Sequence, residues 1–312
     1  MRRSLAILFA LLCAACGSTP SASATPGAEV IARVGSTTIT ENLFAVRLQS
    51  ALTAVSQAGG PSNNPAMTAQ VRASVLRSLL IDTVIAQEAT VAGVAATDAA
   101  VQSQVDVDVQ TAGGITQLQR QLASLGGSLA QLRDEIRSSL NEQNLEDVFA
   151  RQRATEIEQK LATGTAFDTL ASQYSDDGDT AAKGGDLGAV PRTQIQGDDP
   201  AYAAAVLALR PGGYTNSPIR DAQGYDIVAL KSAAATTLTL RHIIVDAPQP
   251  YTVKERPPWF SEAIFESLAQ DCSNGQIHIY VSNVGDDPCA AASASASPSS
   301  SSNPAASLAP SP

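Results

Sequence analysis

Tyr174-Ser-Asp-Asp-Gly-Asp-Thr-Ala-Ala-Lys-Gly-Gly-Asp-Leu-Gly188 is the stretch whose reading decides the fold. It holds Asp176, Asp177, Asp179 and Asp186 between an apolar, helix-like run at 167–174 and a second apolar segment at 187–190. Glycines at 184, 185 and 188 predict a backbone that takes positive φ or lies close against another strand. Taken alone, the stretch reads equally well as a solvated acidic loop or as a built turn. Its flanks separate the two.

Upstream, an apolar stripe of helical spacing runs through Leu132, Ile136, Leu140, Leu145 and Phe149 to Ile157 and Leu161, and Gly164 ends it. Downstream, the chain reads DPAYAAAVLALRPGGYTNSPIRDAQGYDIVAL over 199–230. Phe167, Leu170, Ala171, Ser175, Asp176, the Gly184-Gly185-Asp186-Leu187-Gly188 turn, Gly212-Gly213, Ser217-Pro218 and Gly224-Tyr225 together resemble the parvulin (PpiC-type) peptidyl-prolyl isomerases. The resemblance covers 151–232. It implies an antiparallel sheet with helices, a seat for a proline ring, and no cofactor.

The sequence departs from that family in two ways. Parvulins open with a strand carrying Arg-His-Ile-Leu, and nothing of the kind precedes Arg151. The chain instead places Thr237-Leu-Thr-Leu-Arg-His-Ile-Ile-Val-Asp246 after the last expected strand. First and last strands are neighbours in the parvulin sheet, so 238–245 is expected to fill the vacant place, pairing with 225–230. The alternative is that Arg241-His242-Ile243 opens a truncated second repeat. The second departure is chemical. On the resemblance, His242 matches the first site histidine, Asp177 the acid or cysteine after Ser-Asp, and Asp226 stands where the second histidine belongs. Ile195, Tyr202 and Leu207 match positions of the proline pocket. An Asp226–His242 hydrogen bond would hold one imidazole tautomer. The blander readings are a packed strand histidine and a solvated loop acid.

The N-terminal half reads as helices after a short strand pair. Residues 29–34 alternate as a half-buried strand, Gly35-Ser36 turns, and Thr40 is a candidate N-cap. A long helix is predicted over 66–92, stopped by Gly93. Thr97 caps the next, Gly113-Gly114 and Gly126-Gly127 break the chain, and Ser128 with Gln131 opens another helix. The strings EVIARVGSTTIT, VLRSLLIDTVIAQEATVAGVAATDAAV and GGSLAQLRDEIRSSLNEQNLEDVF resemble the N-terminal chaperone module of SurA/PrsA-type foldases over 29–150. That resemblance implies an apolar crevice that holds unfolded segments.

Residues 1–16 read as a targeting segment: Arg2 and Arg3, an apolar run from Ala6 to Leu12 too short to span a bilayer, then Ala14-Ala15-Cys16. This resembles a bacterial lipobox with Cys16 as the lipidated residue, although Cys13 stands where leucine is usual; the alternative is an ordinary cleaved signal peptide. Residues 17–28 read as a flexible tether. For an exported chain, Cys272 and Cys289 are candidates for a disulfide. The chain has only two histidines, His242 and His278, and neither belongs to a spaced ligand set, so no metal is expected. A formal charge of -10 argues against a nucleic-acid partner. Residues 248–290 read as a proline-rich linker followed by a helix and a strand, and 291–312 as a disordered Ser/Ala/Pro tail.

The expectation is an α+β chain: a helical chaperone module, a parvulin-like domain over 151–247 with its first strand permuted, and a C-terminal extension. The function expected is proline isomerisation and chaperoning of exported, unfolded polypeptides at the cell envelope, with lipid anchoring to a membrane. The competing expectation is a holdase that uses the parvulin fold as a scaffold.

Overall fold

In the computed structural model the residues described are 29–60, 64–247, 256–281 and 289. The leader with Cys16, the tether, the linker at 248–255 and the tail at 291–312 lie outside them.

The chain begins with a hairpin, β1 (Val30–Val34) and β2 (Thr37–Thr40), turned at Gly35. Thr40 then caps α1 (Glu41–Gln57) by accepting a hydrogen bond from the Leu43 amide at 3.3 Å. Asn64 caps α2 (Pro65–Val91), whose first position is the proline that a helix start tolerates. Leu76, Leu80, Val84 and Ile85 on α2 are buried. Two further helices, α3 (Asp98–Ala112) and α4 (Ile115–Ser124), are joined through Gly113 and Gly114, both at positive φ. Ser128 caps α5 (Leu129–Ala162), a 34-residue helix about 50 Å long. It packs on α2 and α3 with its first half and on the following sheet with its second.

That sheet is reached through α6 (Phe167–Tyr174). It contains β3 (Asp186–Pro191), β4 (Ile219–Arg220), β5 (Gly224–Ala233) and β6 (Thr237–Asp246), with α7 (Arg192–Gln196) and α8 (Pro200–Leu207) between β3 and β4. The strand order is β3-β6-β5-β4, antiparallel throughout. The late segment therefore fills the vacant place, with Tyr225 opposite Val245 and Leu230 opposite Leu240. β5 is buried from Gly224 to Leu230 because both its faces are covered. Tyr225, Ile227 and Ala229 join the large core with α5 and α6; Val228 and Leu230 join a smaller one with Ile195 and Val206 of α7 and α8.

The C-terminal segment holds the helix and strand expected of it. α9 (Pro258–Ser273) packs on α2, and β7 (Ile277–Ile279) pairs antiparallel with β1, Ala32 opposite Ile279. A three-residue strand has no stability of its own, and the free edge of β1 supplies the partners it lacks. The helical module is thus completed by residues that follow the sheet domain. Cys272 and Cys289 form a disulfide.

Two polar links fix the sheet against the helices. Asp147 of α5 accepts from Arg220 Nε at 3.1 Å and from the Tyr225 hydroxyl at 3.0 Å. Trp259 Nε1 of α9 donates to Asp176 Oδ2 at 2.9 Å, and the same oxygen accepts from the Asp246 amide at 2.8 Å. Beside Trp259, Phe260 is fully buried, its ring 5.8 Å from that of Phe149 on α5. Phe260→Ala is expected to cost about 3–5 kcal/mol, the usual range for emptying a buried aromatic site. Urea unfolding of the full chain measures this; an unchanged midpoint would show that α9 is not part of the cooperative core.

Candidate functional site

The site is built where β6 meets the stretch from Tyr174 to Gly188. Gly185 has φ of +78° and its carbonyl accepts from the His242 amide at 2.9 Å. A Cβ at Gly185 would lie 2.1 Å from the His242 carbonyl oxygen, so only glycine fits. The glycine pair therefore lets the loop backbone lie against the strand that carries the histidine. Ahead of it, the Asp176 amide donates to the Ile244 carbonyl at 2.8 Å. Asp177 follows directly and is held in an Asx-type turn, accepting from the Asp179 amide at 3.0 Å and the Thr180 hydroxyl at 2.5 Å.

His242 sits between two carboxylates. Its Nε2 lies 2.8 Å from Asp177 Oδ2, and its Nδ1 lies 3.4 Å from both oxygens of Asp226. The Thr180 hydroxyl lies 3.2 Å from Nε2. The Asp226 side chain is 4% exposed and that of His242 12%. A neutral imidazole would turn one lone pair toward a carboxylate, whereas the imidazolium donates to both. Burial opposes the charged ring, but the Asp226 and Asp177 carboxylates outweigh it and raise the His242 pKa to about 9. Burial raises the Asp226 pKa, with His242 pulling the other way. For Asp177, burial pushes upward, but hydrogen bonds from Thr180 and His242 prevail and lower the pKa. The acid in place of the second histidine thus does more than select a tautomer: with Asp177 it holds the ring as a cation.

Asp226 and His242 line a cavity of about 650 Å³ on the α7–α8 side of the sheet. Leu187, Ile195, Leu240 and Ile244 give it an apolar wall, and Tyr202 of α8 lines it as well. Ile195 and Tyr202 were expected here. Leu207 was also expected, but it does not line the cavity; it packs against the small core behind. The correction has a simple cause: Leu207 is the last residue of α8, and its helical phase differs from that of Tyr202. Leu240 and Ile244 were missed, although they lie two residues either side of His242 and so share its face of the strand. Thr180 was missed too; its signal was the Asp-Gly-Asp-Thr turn that begins at Asp177. Among the described residues, no group of His, Cys, Asp and Glu is arranged to hold a metal ion.

Because the folded pKa of His242 lies above the ordinary 6.5, its contribution to stability is complete below about pH 6.5 and is lost as pH rises through about 9. The raised pKa of Asp226 acts in the same direction with pH, since burial of its charge costs stability as pH rises above about 4. NMR titration of the His242 ring is expected to show a midpoint near 9 in the wild type. In Asp226→Asn the midpoint is expected to fall toward 6.5. A wild-type midpoint at or below 6.5 would contradict the doubly paired imidazolium.

Comparison with known proteins gives the same two parts. A family model described as the PPIC-type PPIase domain matches residues 129–232, and one described as the SurA-like N-terminal domain matches 4–146. The chain is 35% identical over 90 residues to foldase protein PrsA 2 of Listeria innocua, covering 29% of this chain and 30% of that protein. It is 35% identical over 96 residues to chaperone SurA of Chromohalobacter salexigens, covering 31% of this chain and 21% of that one. The matches thus span less than a third of these relatives' length. Among solved structures, foldase protein PrsA from Streptococcus pneumoniae covers 80% of this chain and 94% of its own at 15% identity, with a TM-score of 0.29.

Proposed function

We propose that the chain is a foldase joining a SurA-like N-terminal domain to a PPIC-type peptidyl-prolyl isomerase domain, and that it isomerises X-Pro bonds in, and chaperones, unfolded polypeptides exported to the cell envelope. The observation that carries this reading is the cavity in which His242 and Asp226 join the apolar wall of Leu187, Ile195, Leu240 and Ile244. Rotation about the amide must overcome roughly 18–20 kcal/mol, most of it resonance between carbonyl and nitrogen. The resonance form that stiffens the bond is charge-separated and favoured by water. A proline ring seated among Leu187, Ile195 and Leu240 leaves water behind, which weakens that stiffening. The His242–Asp177–Asp226 group then supplies fixed charge and hydrogen-bonding capacity at the cavity edge, able to favour the twisted amide over the planar one. No covalent step, metal or cofactor enters.

The chaperone part rests on the helical module. Val107 of α3, Ile115 of α4 and Leu125 just beyond it are exposed apolar side chains that an unfolded segment can meet. Export and lipid anchoring rest on the sequence of 1–16, with Cys16 as the acylated residue and 17–28 as the tether. The net charge of -10 supports a polypeptide client over nucleic acid.

A second reading is favoured by Asp226, which leaves the site one imidazole. In that case the sheet domain binds proline segments without turning them over. A proline-peptide isomerisation assay and an aggregation assay on the same preparation separate the two. The wild type is expected to accelerate isomerisation, with kcat/KM falling roughly ten- to a hundredfold in His242→Ala and Asp177→Ala, while both variants still suppress aggregation. No acceleration by the wild type, with aggregation still suppressed, would establish the holdase.

A further inference from the structure

The cavity has a charge pattern that proline recognition does not require. Besides Asp226 it is lined by Asp198, Asp199 and Asp221, and neither Lys nor Arg lines it. The three additional carboxylates come from two separate turns, one ahead of α8 and one between β4 and β5, so they converge on the opening from different parts of the fold. Two have local duties: Asp199 caps α8 by accepting from the Ala201 amide, and Asp221 accepts from the Gln223 and Gly224 amides. Asp198 is exposed, and its carboxylate makes no hydrogen bond among the described residues. Deeper in, Asp226 is 3% exposed and its Oδ1 makes no hydrogen bond, with the His242 nitrogen no nearer than 3.4 Å. That oxygen is buried and has only the His242 ring near it, so the charge offered to a ligand comes from Asp198, Asp199 and Asp221. The imidazolium of His242 is the single basic side chain in the lining and is already shared between two acids.

We propose that this cavity selects proline segments flanked by lysine or arginine, with Asp198 and Asp221 at the opening meeting the basic side chain while the proline ring lies against Ile195 and Leu240. The inference rests on the isomerase reading of the same site and adds a substrate class to it. A carboxylate or phosphate beside the proline meets like charge on both sides of the opening and is turned away. The selectivity is electrostatic complementarity across a wet rim, so it depends on salt.

The test uses the full chain and a fluorescent peptide series in which only the residue before proline changes: Lys, Arg, Ala or Glu. Binding is read by anisotropy and turnover by the isomerisation assay. Lys-Pro and Arg-Pro peptides are expected to bind roughly tenfold tighter than Glu-Pro at low salt, with the ratio collapsing toward one near ~0.5 M salt. Asp198→Asn is expected to narrow the ratio and Asp198→Lys to narrow it further, with circular dichroism confirming that both variants fold. Equal binding of Lys-Pro and Glu-Pro at low salt, or a ratio that Asp198→Lys does not move, overturns the selectivity while leaving the isomerase reading standing. If no proline peptide binds at any salt, the isomerase reading itself falls, and this inference with it.

Discussion

An interior strand must satisfy its amides and carbonyls along both edges, and β6 does so with segments from very different parts of the chain. One edge pairs with β5, just before it in sequence; the other pairs with β3 and Gly185. Everything specific about the site follows from that pairing. It brings His242 beside Asp226 by register and beside Asp177 through the loop, and it turns Leu240, His242 and Ile244 toward one face. If β6 slipped by one residue, that face would carry Arg241 and Ile243 instead, and both carboxylates would lose the imidazole between them. The strand arrives late in the chain, yet geometry places it at the centre of the sheet.

The second organising element is α5. It gives its N-terminal half to α2 and α3 and its C-terminal half to the sheet, without a break where the two parts meet. Asp147 anchors Arg220 and Tyr225 from its middle, and Phe149 packs on Phe260 two residues further on. The large core therefore runs through both parts: Ile31 and Phe44 at one end belong to the same cluster as Ile243 and Val245 at the other. Trp259 adds a link that reaches the site at one remove, because it holds Asp176 and the next residue is Asp177.

Much of this was legible in the residues. The Arg241-His242-Ile243 string, the missing strand ahead of Arg151 and the neighbouring first and last strands of the parvulin sheet were enough to place β6. The caps at Thr40, Thr97 and Ser128 marked helix starts because a side-chain oxygen three residues ahead of an amide is a local signal. The pairing of β7 with β1 was not legible, since two short strands far apart in sequence carry no mark of their partner. Leu207 was misplaced because a motif gives position along the chain but not rotation about a helix axis. The charge state of His242 was only half visible. Asp226 signalled one partner, but the cation needs the second carboxylate, whose distance is set by the fold of the loop.

The interleaving of the two parts has a temporal consequence. During synthesis, the residues from Phe167 to Asp246 are all available before α9 and β7 exist, so the four-stranded sheet can close first. Until those later residues appear, β1 keeps one edge unpaired and α2 keeps bare the surface that Phe260 and Ile264 will cover. The part of the molecule that begins the chain is thus the last to finish.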